Sequence, residues 1–160
     1  MIRNKSIQIE SNRWLNKIIL EQNFKPKYYI TIKYIESKST RIEQTEKLFK
    51  HFKNLLLCRI YRVTAKSRLP IDRIRMLGFH ELGESQTHFH THILIEDIPG
   101  YPTIESIMTL LELVKMKHPG MQKGINEAHI NKFHRNQKSY SLKQTNRDYL
   151  SLDIYNSDLI

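Results

Sequence analysis

The chain has one cysteine, one tryptophan, five glycines and five prolines among its 160 residues. A lone Cys58 excludes an intramolecular disulfide and a cysteine-rich metal knuckle. Within the apolar run Leu55-Leu56-Leu57-Cys58 it reads as a buried structural thiol, which fits a reducing compartment. The glycines and prolines are scattered, and there is no internal repeat or low-complexity tract. No flexible linker divides the chain, so one domain over residues 1–160 is expected. No apolar run reaches the roughly 18 residues of a membrane-spanning helix. The opening residues MIRNKSIQIE have no apolar core of a signal peptide, so a soluble, intracellular, cytoplasmic protein is expected. A Gly-x-x-x-x-Gly-Lys phosphate loop is missing from these residues, so no helicase domain is expected.

Acidic residues are also scarce. Sixteen Asp+Glu face 26 Lys+Arg, a net charge of +10. A small domain this basic is expected to meet a polyanion: DNA, RNA or an acidic membrane surface. The hydrophobic fraction of 39% is modest, but Ile, Leu, Phe and Tyr are plentiful, which argues against general disorder.

Periodicity supplies the elements. Trp14, Leu15, Ile18 and Ile19 share one face of an opening helix within 5–22 that Pro26 ends. Lys27–Glu36 (KYYITIKYIE) reads as a strand. Leu48, Phe49, Phe52, Leu55 and Leu56 mark an amphipathic helix from Arg41 to about Leu57. Residues 59–75, with Arg59, Arg62, Lys66, Arg68, Arg73 and Arg75 against Asp72, read as a phosphate-tracking stretch or a solvated loop, part of it a possible strand. Met76–Leu82 is a strand, Gly83-Glu84-Ser85 a turn, and His88–Glu96 a second strand. Thr103–Lys117 is a helix, 125–133 a further strand, 135–145 a short helix and Tyr149–Tyr155 a last extended piece. Strands joined by a tight turn are antiparallel, so the class expected is α+β, a central antiparallel sheet with flanking helices.

The histidines stand out by placement. Strand alternation over HFHTHILIE puts His88, His90, His92, Leu94 and Glu96 on one side and Phe89, Thr91, Ile93 and Ile95 on the other, toward the core. Neutral imidazole is the commonest protein metal ligand, and alternate strand positions bring two ring nitrogens within reach of one ion. The preceding strand ends in His80 and Glu81. Only one of these can face the histidines, and Glu81 is favoured because a carboxylate completes a coordination sphere. The bland alternative is a histidine-rich, solvated sheet face. Downstream, Tyr140 and Lys143 share a helix face. A nearby cation favours the phenolate and a lysine holds phosphate, so Tyr140 is the candidate nucleophile, with Tyr149 and Tyr155 as rivals.

A His-hydrophobic-His strand with an upstream acid and a downstream Tyr-x-x-Lys helix resembles the HUH endonucleases, above all single-tyrosine rolling-circle replication initiators of plasmids, phages and small circular DNA viruses. Tyr29-Ile30-Thr31-Ile32-Lys33-Tyr34 looks like their first motif. Either His88-Phe89-His90 or His90-Thr91-His92 looks like the second, and Tyr140-Ser141-Leu142-Lys143 like the third. The likeness covers about 27–146. Relaxases place the tyrosine before the histidines, and two-tyrosine enzymes pair two on one helix; this chain does neither.

The resemblance implies a ferredoxin- or RRM-like sheet with the histidines on its middle strand. It also implies Mg²⁺ or Mn²⁺ held by His90, Glu81 and one of His88 and His92. The expected reaction is transesterification in single-stranded DNA at a replication origin, through a 5′-phosphotyrosine on Tyr140 assisted by Lys143. Lys33, Arg62, Arg68, Arg135, Lys138 and Arg147 are candidates to hold the strand. The expected partners are that DNA and host replication machinery, not a membrane, and the protein a monomer or weak oligomer. A single-tyrosine transposase, a non-catalytic binding module and a different metallohydrolase are the alternatives.

Overall fold

The structure is a computed structural model that describes residues 17, 23–64, 70, 73–82, 87–121, 128–132, 153, 157 and 158. The aromatic and β-branched run after Pro26 forms β1, Tyr28–Lys33. The helix α1 covers Ile42–Ile60, with the backbone N–H of Arg41 donating to the Gln44 side chain at its start. Thr45, Phe49, Phe52, Leu56 and Leu57 are its buried face, the four-and-three spacing of an amphipathic helix. Cys58 falls beside that face and is half-buried rather than fully enclosed. Strand β2, Met76–Leu82, and strand β3, Phe89–Ile95, form an antiparallel pair. The second helix, α2, covers Ile104–Lys117. Thr103 caps it: its hydroxyl accepts from Ser106 N–H, and Ser106 Oγ accepts from Thr103 N–H. Strand β4 is Ala128–Lys132.

The sheet order is β2-β3-β1-β4, with every neighbouring pair antiparallel. A β-α-β-β-α-β chain in this order is the ferredoxin-like arrangement, which RRM domains share. The expected α+β class therefore holds. Both helices cover one face. Tyr28, Ile30 and Ile32 of β1, Met76 of β2, Ile93 and Ile95 of β3 and Ile130 of β4 meet Phe49, Phe52, Leu56, Ile107, Leu110 and Leu111 there. Gly78 of β2 is where the Phe49 ring comes closest; a Cβ at that position would lie 2.3 Å from it.

The β2 edge is covered by the chain's end. Asp153 N–H donates to Gly78 O, Asp158 N–H to Met76 O, and Gly78 N–H to Ser157 Oγ. The Asp158 carboxylate also accepts from Met76 N–H and from Lys53 and Arg73. An edge paired in this way does not template a foreign strand.

Several expectations change or lie outside the described residues. Helix α1 runs on to Ile60 and closes with a turn at Tyr61 and Arg62, and the described residues of 59–75 contain no strand. Arg62 adopts a left-handed conformation, φ 53°, at that helix exit. The opening helix (apart from Lys17, which is helical), the 135–145 helix and the 149–155 extension (apart from Asp153) fall outside the described residues.

Candidate metal centre

The face of the sheet away from the helices is set by strand alternation and register. Opposite residues of paired strands point to the same side. Glu81 of β2 pairs with His90 of β3, and His90 pairs with Lys33 of β1. One row further along, Phe79, His92 and Thr31 align; beyond them come Leu77, Leu94 and Tyr29.

The first two rows bring three ligand atoms together. His92 Nε2 lies 2.7 Å from Glu81 Oε2 and 3.1 Å from His90 Nε2, and His90 Nε2 lies 3.5 Å from the same carboxylate oxygen. Glu81 and His92 are buried and His90 is half-buried. Among the described residues this is the group of His, Cys, Asp and Glu side chains placed to hold a metal ion. Two imidazole nitrogens and a carboxylate oxygen are all lone-pair donors. Converging within 3.5 Å, they need either protons or a cation between them. Three adjacent ligands of an octahedral ion with bonds of about 2.1 Å stand roughly 3.0 Å apart, and those of a tetrahedral ion of similar bond length roughly 3.4 Å. The observed spacings span that range, so the donor set could hold a divalent cation.

His92 is held on two further sides. Its Nδ1 is 2.9 Å from Thr31 Oγ1. The Tyr29 ring stacks on it at 5.3 Å between centroids and 20° between planes. The His90 and His92 rings meet edge to face at 4.8 Å.

Behind the site, the intervening residues are fixed on the helix face. Tyr34 O–H donates to Thr91 Oγ1 at 3.0 Å; Thr91 Oγ1 is 2.9 Å from His80 Nδ1, and His80 Nε2 is 3.0 Å from Asp153 Oδ2. A neutral His80 that accepts at Nδ1 from Thr91 and donates at Nε2 to the Asp153 carboxylate satisfies every donor in that chain. All four side chains are buried. Burial holds the Tyr34 phenol far above its ordinary pKa, outweighing its bond to Thr91, so Tyr34 is no nucleophile. Thr91 stands between His90 and His92 in sequence, and His80 beside Glu81. Locking the back face therefore fixes the strands that carry the ligands.

The structure thus brings together His90, His92 and Glu81 and leaves His88 out. His88 precedes β3; its Nδ1 is 3.2 Å from Thr87 Oγ1 and 3.8 Å from Glu36. Of the two registers open in the sequence, the paired histidines are those of His90-Thr91-His92. His80 turns to the opposite face from Glu81, as alternation requires. Lys33 is exposed in the row of His90 and Glu81. Arg62 is exposed at the exit of α1, in the helix layer. Tyr140, Lys143, Arg68, Arg135, Lys138, Arg147 and the rival tyrosines Tyr149 and Tyr155 lie outside the described residues. Sequence reading missed the roles of Thr31, Tyr29 and Asp153. The first two had a usable signal, since β1 alternation puts both on one face; Asp153 had none.

No protein-family model, no curated protein and no solved structure matches this chain. The fold and the ligand geometry define it as an α+β protein of ferredoxin-like topology with a histidine-carboxylate group on the sheet face away from the helices.

Proposed function

We propose that this protein is a metal-dependent endonuclease of HUH type that nicks and rejoins single-stranded DNA through a tyrosine, as rolling-circle initiators do. The observation that carries the reading is the convergence of His90 Nε2 and His92 Nε2 of β3 with Glu81 Oε2 of β2 on the sheet face away from the helices. His90, His92 and Glu81 would hold a divalent ion, Mg²⁺ or Mn²⁺, which would supply Lewis acidity to a non-bridging oxygen of the scissile phosphate. Lys33, exposed in the same row, neutralises the neighbouring backbone, and the net charge of +10 draws the strand in.

The nucleophile in this reading is Tyr140. Its oxygen forms a bond to phosphorus as the bond from phosphorus to the 3′ oxygen breaks. The phenolic proton is lost and the departing oxygen is protonated to a free 3′-hydroxyl. Lys143 steadies the charge that develops on the phosphate. The phosphotyrosine keeps the ester bond, so the reverse step joins strands without a nucleotide cofactor. The assignment to Tyr140 rests on the Tyr-x-x-Lys spacing of Tyr140 and Lys143 downstream of the histidine strand.

The test incubates the protein with a pool of single-stranded oligonucleotides and Mn²⁺ and resolves the products on denaturing gels. A protein–DNA adduct that needs metal and is lost in Tyr140→Phe and in His92→Ala is expected. An adduct that persists in Tyr140→Phe moves the nucleophile to Tyr149 or Tyr155. Tight binding with no adduct in any pool, unchanged in His92→Ala, makes the protein a binding module instead.

A further inference from the structure

Helix α1 buries Phe49, Phe52, Leu56 and Leu57, so residues three and four apart on its far side face outward together. Lys47, Lys50, His51 and Asn54 form that outer ridge, and all four are exposed. The end of α2 widens it. The His51 ring lies 5.0 Å from the His118 ring, Lys117 is exposed, and the exposed Lys38 donates to Pro119 O at 2.8 Å. Glu43, at the start of the helix, is the one exposed acid of α1. The ridge cations also differ from others in the molecule. Lys27, Lys53, Arg73, Arg75 and Lys115 each have a carboxylate within ion-pair distance. Among the described residues Lys47, Lys50 and Lys117 have none.

Unpaired cations gathered on one ridge attract a polyanion. A membrane surface takes cations that flank an apolar stripe, and the one exposed large hydrophobic among the described residues is Met116. A single strand takes aromatic rings on which its bases stack, and both phenylalanines of α1 are buried. A convex ridge of cations with no exposed Phe, Tyr or Trp suits the outside of a duplex, which carries one phosphate charge per about 1.7 Å of its axis. We infer that the outer ridge of α1, with Lys47, Lys50 and His51 at its centre, docks the phosphate backbone of duplex DNA. The choice of DNA rests on the reading above; the ridge itself does not. Helix α1 packs on the sheet face opposite Glu81, His90 and His92. A duplex on the ridge therefore leaves the ligand face to a single strand.

The test measures binding of a short labelled DNA duplex by fluorescence anisotropy, in chelator and over a series of salt concentrations. The double variant Lys47→Gln/Lys50→Gln keeps good helix formers at exposed positions, so it is expected to fold. It should bind the duplex about 10-fold more weakly, with the slope of log affinity against log salt shallower by about 2. Lys25→Gln/Lys27→Gln removes the same charge at exposed positions before β1, and is expected to change the affinity by less than about 2-fold. No duplex binding by wild type overturns the inference, as does equal affinity in the ridge variant. An equal loss in both double variants overturns it too, because net charge alone would then explain the binding. Tighter binding to phosphatidylserine vesicles than to the duplex, lost in the ridge variant, makes the ridge a membrane surface instead. Tighter binding to an RNA duplex of the same sequence overturns the assignment to DNA. The metal-dependent adduct on a short single strand decides the nuclease reading separately, and the ridge variant is expected to form it as wild type does.

Discussion

The two faces of one sheet handle their polar side chains in opposite ways. On the helix face, Tyr34, Thr91, His80 and Asp153 form a buried chain in which each donor has an acceptor. On the opposite face, Nε2 of His90, Nε2 of His92 and Oε2 of Glu81 converge within 3.5 Å of one another. The residues alternate along the same strands: His80 then Glu81, and His90, Thr91, His92. A satisfied network stabilises the fold on its own, whereas two ring nitrogens and a carboxylate oxygen brought to one point are also held together by a cation. The fold holds those ligands from behind.

The sharpest way to break that comparison is to truncate a histidine on each face. His80→Ala removes a hydrogen bond to the buried Asp153 carboxylate, and losing a buried hydrogen-bond partner costs about 1–3 kcal/mol. Denaturant titration is expected to show that loss whether or not metal is present. His90→Ala, half-buried on the ligand face, is expected to change metal-free stability by about 1 kcal/mol or less. If both variants lose stability equally without metal, the ligand-face group is structural and the contrast fails.

Adding metal sharpens the contrast from the other side. With Mn²⁺ at a hundred times its dissociation constant, binding to the folded state raises stability by about 2.7 kcal/mol. Thermal melts with and without chelator should show that difference in wild type and lose it in His90→Ala and in His92→Ala. Two nitrogen ligands to one oxygen also favour Mn²⁺ over Mg²⁺, which prefers an all-oxygen shell. Mg²⁺ is therefore expected to need a higher concentration for the same shift in melting temperature. Equal potency of the two ions would mean that the histidines are not the ligands.

Much of this contrast is legible in the sequence, because strand alternation is a hard steric rule. Met76–Leu82 is the strand its residues predict, and alternation along HFHTHILIE places Thr91, Ile93 and Ile95 on the core side and His90 and His92 opposite. The same rule turns His80 and Glu81 to opposite faces. What periodicity leaves undecided is where the pairing begins. Whether His88 or His92 joins His90 depends on the register of β3 against β1 and β2, which is set by contacts between strands distant in sequence. The roles of Thr31 and Asp153 have the same origin: their partners lie 61 and 73 residues away.

A histidine that belongs to neither face gives the finest test of what satisfaction by partners means here. His118 closes α2. Its Nε2–H donates to Leu48 O at 2.9 Å and its Nδ1 accepts from Gly120 N–H at 3.1 Å, so both nitrogens are used by the neutral ring. Burial pushes its pKa below the ordinary histidine value; the bond to Leu48 opposes this, and His51 and Lys38 reinforce it. A folded-state pKa lower than the unfolded one means that unfolding takes up a proton once the pH drops below about 6.5. The stability His118 supplies is thus intact above that pH and is lost as the pH falls toward its folded value, with a slope of at most about 1.4 kcal/mol per pH unit. Chemical denaturation of wild type and His118→Gln at a series of pH values isolates it. The difference between the two proteins should be largest at neutral pH and shrink as the solution is acidified. A difference that stays constant with pH would mean that His118 acts through packing against Tyr34 and His51 alone, and not through the proton its neutral ring excludes.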